Sequence, residues 1–371
     1  MYITKVDIHT ISLPLKEPFI VSYTAYDTMP AIIIKVHTNT GIIGYGESVP
    51  DGHVTGESIQ SVREALKEQL VPAVLGADPR NIQHIHDKMN EALVLNGAAK
   101  AAIDIACYDI LGKVSGLPVY ALLGGKKEDP PMIPIVLSIL EPDVLAKQAK
   151  KAMDEGYKEI KMKLGTDPMK DVERVRAVRE AVGPHVPIKV DANQGWKTIP
   201  TARQVINDLE PYRLSWIEQP LPKGDHSFFK RLKDHISIPL MADESVVEGQ
   251  DLRTFLLDES VEYINIKLMK SGGIYPSHTL ATQADLFGIS CQIGSMVESS
   301  IASAAGFHVA VSKKNIISTE ISGPTRFTID TGNLTYNIPY VQLPDAPGLG
   351  IEVDDKKIKQ MQIQYDVVTQ S

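Results

Sequence analysis

A short apolar run followed by a helical pattern repeats along most of the chain after residue 131. The unit recurs roughly every 25 residues, a spacing that is typical of strands alternating with helices in an α/β protein. The runs are MIPIVLS from Met132, YKEIKMK from Tyr157, VPIKVDAN from Val186, LSWIEQP from Leu214, IPLMADE from Ile238, EYINIKL from Glu262, GISCQIG from Gly288 and NIISTEIS from Asn315. Because the number of strands is even and the period is regular, the pattern favours a (β/α)₈ barrel over an open doubly wound sheet.

The residues that precede this repeat indicate a separate unit of mixed α and β structure. The run AIIIKVHTNTGIIGYGES, residues 31–48, predicts a β-hairpin between two polar loops at 21–30 and 49–58. A helix is predicted over residues 97–116, which carry apolar residues at helical spacing and end in glycine. The stretch 122–131, which contains Gly, Pro and charged residues, is the best candidate for a domain boundary. Since a barrel takes ~250 residues, a chain of 371 has room for both parts.

The overall charge excludes one class of partner. A net charge near −8 and a pI near 5.7 leave no basic surface of the kind that binds nucleic acid. The first residues lack the basic start and unbroken apolar run of a signal peptide, and no apolar stretch approaches the ~20 residues of a membrane helix. Cys107 and Cys291 lie in apolar surroundings far apart in sequence, as reduced packing residues do. We therefore expect a cytoplasmic protein with neither nucleic acid nor a membrane as its partner.

Charged and polar side chains stand at the ends of successive predicted strands. In barrels of this kind the chemistry gathers at the carboxyl ends of the strands. On strands two to six and on strand eight, these ends carry Lys161 and Lys163, Asp191 and Asn193, Glu218, Asp243 and Glu244, Asn265 and Lys267, and Glu320. We expect these side chains to converge at the mouth of the barrel.

Three of these residues, Asp191, Glu218 and Asp243, are carboxylates on consecutive strands. Their charges would repel one another if they were unpaired, and a divalent cation would remove the repulsion. The strand ends offer oxygen ligands without His or Cys, which favours Mg²⁺ or Mn²⁺ over Zn²⁺. The alternative is that the three carboxylates are separate helix N-caps or ion-pair partners of the lysines. Their matching positions on successive strands favour a metal site.

The lysines on strands two and six are expected on opposite sides of this site. Lys163 and Lys267 lie four strands apart in an eight-stranded ring, so they would face each other across a bound molecule. An isolated Lys-x-Lys strand end is usually a solvated surface. Here Lys161, a nearby cation and partial burial would each disfavour the charged form of Lys163. Lowering a lysine pKa from ~10.4 to ~7 takes about 4–5 kcal/mol, and our hypothesis is that Lys161 tunes Lys163, which acts as a general base.

The ordered motifs at these strand ends resemble those of one family. KMK, DANQGW, EQP, ADES, NIKLMKSGG, GSMVESS and the late PGLGIEV are together similar to the muconate-lactonizing-enzyme subgroup of the enolase superfamily. The resemblance implies an N-terminal α+β capping domain, a (β/α)₇β TIM-like barrel, and one Mg²⁺ held by Asp191, Glu218 and Asp243. It also implies that Lys163 and Lys267 are acid/base residues, and that a proton is removed α to a substrate carboxylate to give an enediolate.

The same resemblance sets the expected domain limits and narrows the reaction. We expect the cap at 1–125, the barrel at 126–340, a C-terminal segment at 341–371 that returns to the cap, and assembly as a homo-oligomer. The end of strand seven, CQIGS, has no histidine, which argues against mandelate-racemase chemistry. Dipeptide epimerases usually carry Asp-x-Asp at the end of strand eight, where this chain has Glu320 and Ser322. An acylated amine is therefore easier to accommodate than a free one.

The motifs are most similar to those of N-succinylamino acid racemases, so the expected substrate is a small carboxylate, either an N-acyl amino acid or a dipeptide. Two opposed lysines suit racemisation, because one removes the α-proton and the other returns a proton to the opposite face. The first alternative is a dipeptide epimerase, of L-Ala-D/L-Glu or other specificity, that uses Glu320; the next is a muconate-type cycloisomerase. An alternative from another class is a non-catalytic binding protein, and the intact lysines and carboxylates argue against it.

Two loops of the cap are expected to lie over the mouth and to set specificity. Tyr26 lies in the first loop, and Asp51 and His53 lie in the second. Our hypothesis pairs Asp51 with an Arg or Lys side chain of the substrate, with Tyr26 packed on that side chain. The alternative is ordinary turn chemistry at Asp51 and the glycine that follows it. Further substrate contacts are predicted for Asn193, Ser295, Met296, Glu298, Glu320 and Ser322.

Overall fold

The computed structural model describes residues 1–224 and 226–369. Its N-terminal part is a sheet packed on helices. Its strands are β1 (Ile3–Ile20), β2 (Ala25–Thr38) and β3 (Ile43–Ser48). The helical segments that follow are α1 (Ile59–Ala65), a π-helical turn (Leu66–Leu70), α2 (Val71–Val74), α3 (Ile82–Ala92), α4 (Gly97–Ser115) and α5 (Val119–Leu122). The strands β2 and β3 form the predicted hairpin, and α4 is the predicted helix, ended by Gly116 at φ 68°.

The predicted polar loop at 21–30 is mostly strand, so that prediction is wrong. The strand β2 begins at Ala25, and its ladder with β1 pairs Tyr26 with Phe19. Main-chain hydrogen bonds stabilise a paired strand whatever the polarity of its side chains, and the polar composition therefore misplaced its start. Only residues 21–24 connect β1 and β2. Tyr23, in this connection, lies at the mouth of the barrel.

One parallel sheet of eight strands occupies the middle of the chain, with its strands hydrogen-bonded in chain order. The strands are β4 (Ile135–Leu137), β5 (Ile160–Lys163), β6 (Ile188–Asp191), β7 (Ile217–Glu218), β8 (Leu240–Ala242), β9 (Tyr263–Ile266), β10 (Ser290–Ile293) and β11 (Ile316–Thr319). The helical segments between them are α6 (Pro142–Asp154), α7 (Pro168–Val182), α8 (Ile199–Leu209) with a 3₁₀ turn (Glu210–Tyr212), α9 (Ser227–Lys233), α10 (Gly249–Asp258), α11 (Leu268–Ser271), α12 (Ile274–Asp285) and α13 (Ser300–Ser312).

The barrel is the (β/α)₇β form, which confirms the expectation from the family resemblance and corrects the (β/α)₈ reading of the repeat. Where an eighth barrel helix would follow β11, the chain forms α14 (Gly323–Arg326), a single turn, because the residues directly after it lack an apolar helical pattern. The sheet curls on itself, since Lys189 on β6 donates a 2.8 Å hydrogen bond to Ser318 on β11. Arg326 reaches the first strand and donates to the Val136 carbonyl at 2.6 Å. The eight strand ends therefore surround one interior.

The rest of the chain returns to the N-terminal sheet. Its elements are β12 (Thr335–Asn337), β13 (Tyr340–Gln342), α15 (Asp355–Met361) and β14 (Gln362–Thr369). The strand β14 pairs antiparallel with β1, with Val367 opposite Asp7, which gives the sheet order β14-β1-β2-β3. Both ends of the chain thus contribute to the same sheet.

Close contacts fix this sheet and its helices on the mouth of the barrel. A Cβ atom at Gly97, the first residue of α4, would lie 2.2 Å from the Lys270 carbonyl oxygen, so α4 packs directly on α11. Glu47, near the end of β3, accepts 2.8 Å hydrogen bonds from the backbone N–H groups of Ser299 and Ala302 at the start of α13. These contacts hold the loops after β1 and β3 above the strand ends. Across the two described stretches of chain, no helix is long and apolar enough to cross a membrane.

Candidate active site at the barrel mouth

The three predicted metal ligands lie together at the mouth. Asp191 and Glu218 end β6 and β7 and are register partners in the parallel ladder, and Asp243 follows β8 directly. All three side chains are fully buried, and one carboxylate oxygen from each lies within 4.8 Å of the others. The alternating pattern of each strand and the common register of the sheet therefore bring the three carboxylates to one point. Oxygen donors at this spacing form a site that could hold a metal ion.

Lysines neutralise each of these carboxylates in the protein itself. Lys163 Nζ lies 2.7 Å from Asp191 Oδ2, and Lys267 Nζ lies 2.7 Å from Asp243 Oδ2. Lys161 Nζ donates to both oxygens of Glu218, at 2.8 and 2.9 Å. Helix N-capping, the other alternative for the carboxylates, does not describe these contacts. The three carboxylates therefore form ion pairs with the lysines and also have the spacing of a metal site.

Lys161 has a broader role than the predicted one of opposing the charge on Lys163. Its buried ammonium contacts Glu218 and Glu320 and lies 3.2 Å from Asp191. Asn265 donates to Glu218 at 2.8 Å and to Glu320 at 3.1 Å, which joins the same carboxylates from the opposite strand. Lys161 thus balances the negative charge of these three acidic side chains inside the barrel.

The surrounding charges shift the pKa values of these groups strongly. Burial is the largest single influence on Asp191 and Asp243 and would raise the pKa of each. Together the neighbouring lysines, Lys163 and Lys161 at Asp191 and Lys267 and Lys270 at Asp243, outweigh burial and hold both pKa values below their usual range. Burial opposes the charge on Lys267, yet Asp243 and the nearby glutamates raise its pKa well above the usual lysine value. The protein's own carboxylates therefore favour the charged form of Lys267, the second lysine at the mouth. A cation on the carboxylates would act in the lowering direction.

A small cavity of about 50 Å³ lies between the strand ends and the two loops of the cap. Its walls include most of the residues predicted to act on the substrate: Lys163, Lys267, Tyr26, Asp51, Asn193, Ser295 and Met296. The two lysines enter it from the sides of Asp191 and Asp243. A larger crevice of about 700 Å³ lies elsewhere between cap and barrel, and neither Lys163 nor Lys267 is among its walls. The chemistry therefore belongs to the smaller cavity.

The Asp51 carboxylate faces this cavity and is held on both of its oxygens. Oδ1 accepts hydrogen bonds from the backbone N–H groups of His53 at 2.7 Å and Val54 at 3.0 Å, which is the turn chemistry considered as an alternative. Oδ2 accepts from the hydroxyls of Tyr26 and Tyr23, the latter at 3.2 Å. The turn therefore aims Asp51 at the tyrosines of the other loop, and the turn and the recognition hypothesis are compatible.

The remaining predicted contacts lie behind the cavity wall. Glu298 accepts from the Ser295 hydroxyl and from the Met296 backbone N–H at 2.8 Å, so it shapes the loop that carries those two residues. Glu320 is bound to Lys161 and Asn265, and Ser322 precedes α14. His53, Glu298, Glu320 and Ser322 are absent from the cavity lining and support it from outside.

Three residues that carry site contacts were missed in the sequence. Tyr23 shares the first loop with Tyr26, a signal that was available. Lys270, in the motif NIKLMK, is buried and lies 2.7 Å from Asp243 Oδ1 and 2.9 Å from the Asn265 carbonyl. Gln194, in the motif DANQGW, is within 2.8 Å of His53. The contact of Lys270 with Asp243 and that of Gln194 with His53 join different segments of the chain, so no local pattern marks them.

A capped (β/α)₇β barrel with carboxylates on three successive strand ends defines an enolase-like protein. Residues 144–357 match the family described as enolase C-terminal domain-like, and residues 3–124 match the mandelate racemase / muconate lactonizing enzyme N-terminal domain. The chain belongs to this mandelate racemase and muconate lactonizing enzyme family of the enolase superfamily.

Several relatives match over nearly the whole chain. An N-succinyl-L-Arg/Lys racemase from Bacillus cereus is 46% identical, with 99% of this chain and 100% of the relative covered, and its crystal structure superposes with a TM-score of 0.98. An L-Ala-D/L-Glu epimerase from Bacillus subtilis is 33% identical, with 95% of this chain and 97% of the relative covered. A dipeptide epimerase from Enterococcus faecalis, solved with Mg and the dipeptide L-Leu-L-Tyr, is 35% identical with a TM-score of 0.90, and the match covers 95% of this chain and 99% of that one.

Proposed function

We propose that the protein is an isomerase that racemises N-acylated amino acids, in particular N-succinyl derivatives with an Arg or Lys side chain. The observation that carries the proposal is the entry of Lys163 and Lys267 into one cavity, each beside a different carboxylate of the buried cluster. The 46% identity to an N-succinyl-L-Arg/Lys racemase supports the same reaction and the same class of substrate.

The residues present fit a hard divalent cation. Asp191, Glu218 and Asp243 would hold Mg²⁺ or Mn²⁺, because they offer only carboxylate oxygens, are fully buried, and place one oxygen each within 4.8 Å of the others. The bound ion would supply electrostatic stabilisation of the negative charge that develops on a substrate carboxylate. Relatives solved with Mg in the complex support this choice of ion.

The two lysines would carry the proton transfers. For one enantiomer, neutral Lys163 takes the proton from Cα, and the Lys267 ammonium returns a proton to the opposite face of the resulting planar carbon. For the other enantiomer the two roles are exchanged. Each cycle moves one proton off and one proton on, so substrate and product have the same composition. The protein's part is to hold both amines at the cavity wall, next to the carboxylates that fix their positions.

The preference for a cationic side chain would come from Asp51. Its carboxylate faces the cavity that contains both lysines, and the hydroxyls of Tyr23 and Tyr26 converge on it. A carboxylate in a largely buried wall attracts an ammonium or guanidinium group, and the tyrosine rings offer apolar faces for the stem of the side chain.

A dipeptide epimerase is the second candidate, on the strength of relatives that are 33–36% identical. A dipeptide brings a free ammonium group, which needs a carboxylate partner. Glu320, the residue considered for that role, is buried and already bound to Lys161 and Asn265. The structure therefore favours an acylated amine. A muconate-type cycloisomerase would use the same lysines, and relatives with that activity are 29% identical.

The domain limits, the assembly and the location are part of the same proposal. The division into 1–125, 126–340 and 341–371 is supported by the pairing of β14 with β1. Apolar residues exposed along one face of β14, such as Tyr365, support assembly into a homo-oligomer. Two free, buried cysteines support a cytoplasmic location.

Incubation with Mg²⁺ in D₂O tests the function. The substrates are N-succinyl-L-Arg, N-succinyl-L-Phe and the dipeptide L-Ala-L-Glu, analysed by chiral chromatography and mass spectrometry. We expect deuterium at Cα and formation of the D enantiomer for N-succinyl-L-Arg, and less of both for the Phe derivative. Reaction of the dipeptide alone would contradict the proposal in favour of the second candidate.

A further inference from the structure

The cap loop 49–58, which carries Asp51, is attached to the barrel at His53 and Val54 by two side chains outside the proposed catalytic groups. Lys223 lies in the loop after β7, and its ammonium group donates hydrogen bonds to the backbone carbonyls of His53 at 2.9 Å and Val54 at 3.1 Å. Gln194, in the loop after β6, lies 2.8 Å from the His53 ring. Both barrel residues thus hold the segment immediately after Asp51.

The orientation of the Gln194 amide is fixed by its other contact. Gln194 is buried with φ 67°, its backbone N–H donates to the Gln219 carbonyl, and its Oε1 accepts from the Lys223 backbone N–H at 3.0 Å. Its Nε2 must therefore face His53 Nε2, and since an amide nitrogen only donates, the histidine nitrogen accepts. His53 is then neutral with its proton on Nδ1, in accord with burial lowering its pKa.

The same histidine contacts the residues that hold Asp51. Its ring stacks on the Tyr23 ring with centroids 4.0 Å apart, and the Tyr23 hydroxyl donates to Asp51. Its backbone N–H donates to the other Asp51 oxygen at 2.7 Å. A continuous set of contacts therefore joins Gln194 and Lys223 to the Asp51 carboxylate.

We infer that Gln194 and Lys223 are positioning residues that clamp loop 49–58 to the barrel and so fix Asp51 over the cavity. Neither residue lines that cavity, so they act through the loop and not on the substrate. The effect on substrate choice rests on the proposed function, whereas the clamping of the loop does not. Coulomb attraction between Asp51 and a cationic side chain weakens with distance, so release of the loop would lower selectivity about tenfold.

Hydrogen–deuterium exchange of the protein alone tests the clamp. The variants are Lys223→Met and Gln194→Leu, and the matched controls are Lys230→Met and Gln204→Leu at exposed positions on α9 and α8. We expect amides in 49–58 to exchange at least about tenfold faster in the two variants and at the wild-type rate in the controls. Unchanged exchange in Lys223→Met would overturn the inference. Lys223 is exposed, so this variant decides the question even where Gln194→Leu fails to fold.

The ratio of kcat/KM for N-succinyl-Lys to that for N-succinyl-Leu tests the positioning of Asp51. We expect this ratio to fall about tenfold in Lys223→Met, with little change for the neutral substrate. A parallel fall for both substrates would overturn the positioning role, since it would mean a general structural effect. If the wild-type protein racemises neither substrate, the proposed function fails, and the exchange measurement alone decides the clamp.

Discussion

Buried lysines occupy two levels of the barrel interior, and two of those at the mouth, Lys163 and Lys267, line the small cavity. Lys161 and Lys189 are register partners on β5 and β6, and both are buried. Lys189 points to the lower part of the barrel, where it contacts Glu159 and Ser318 and lies 4.5 Å from the centre of the Trp216 ring. Its single carboxylate partner balances its charge.

The mouth differs from this lower part in its excess of acids and in its access to a cavity. Lys163 and Lys267 each contact one carboxylate of a cluster that also includes Glu218 and Glu320, and both lysines reach the cavity wall. Burial of a lysine therefore does not by itself mark a catalytic site. Convergence of acids from several strand ends, next to a cavity, is the feature that distinguishes the two regions.

The largest expected effect is on the rate of racemisation, which compares the lysines at the mouth with Lys189 in the lower part of the barrel. Lys163→Ala and Lys267→Ala should each lower the rate of racemisation by at least about 10³-fold, because each removes an acid/base group. Lys189→Met should keep the wild-type kcat for the folded protein. Chiral chromatography of N-succinyl-Arg measures all three rates, and full racemase activity in either alanine variant would refute the two-base assignment.

Glu218→Gln should weaken Mg²⁺ binding at least about tenfold, because it removes one of three charged ligands. Calorimetric titration of the substrate-free protein with Mg²⁺ measures the affinity. Glu159→Gln, at the partner of Lys189, is the matched control and should leave the affinity unchanged. Equal affinities in the two variants would place the ion elsewhere.

Lys189→Met should lower the free energy of unfolding by about 2 kcal/mol, because it leaves the partly buried Glu159 without its partner. Urea denaturation followed by circular dichroism measures the change. A loss of activity larger than the loss of folded protein would show that the lower part takes part in the chemistry, and the contrast between the two regions would then fail.

The smallest effect concerns the cap. Asp51→Asn should lower kcat/KM for N-succinyl-Arg by about tenfold, since the attraction between opposite charges is lost, and should leave N-succinyl-Leu nearly unaffected. Asp27→Asn, at an exposed position on β2, is the control. Steady-state kinetics with both substrates measures the change, and equal losses for the two would end the Asp51 hypothesis.

The strand-end residues could be predicted because parallel strands share a register. Asp191 and Glu218 are paired in the ladder, so their meeting follows from the position of each at the end of a strand. The missing eighth helix could also have been read from the sequence, since Gly323 and Pro324 follow β11 without an apolar pattern after them. These features depend on local periodicity, which a single sequence carries.

The contacts around the cap loops could not be predicted in the same way. His53 meets Gln194 across 141 positions of sequence, and Lys223 meets His53 across 170. Such contacts depend on how the cap sits on the barrel, and no spacing rule connects their partners. The state of the lysines was equally hidden, because the pKa of Lys267 depends on carboxylates from other strands.

The stereochemistry of proton exchange in the two lysine variants tests the central claim most directly. Lys163→Ala and Lys267→Ala are each incubated with Mg²⁺ and the separate enantiomers of N-succinyl-Arg in D₂O, and deuterium at Cα is followed by mass spectrometry. Opposed amines predict that each variant exchanges one enantiomer only, and that the two variants differ in which one. Exchange of the same enantiomer by both variants, or of both enantiomers by either, would contradict the arrangement.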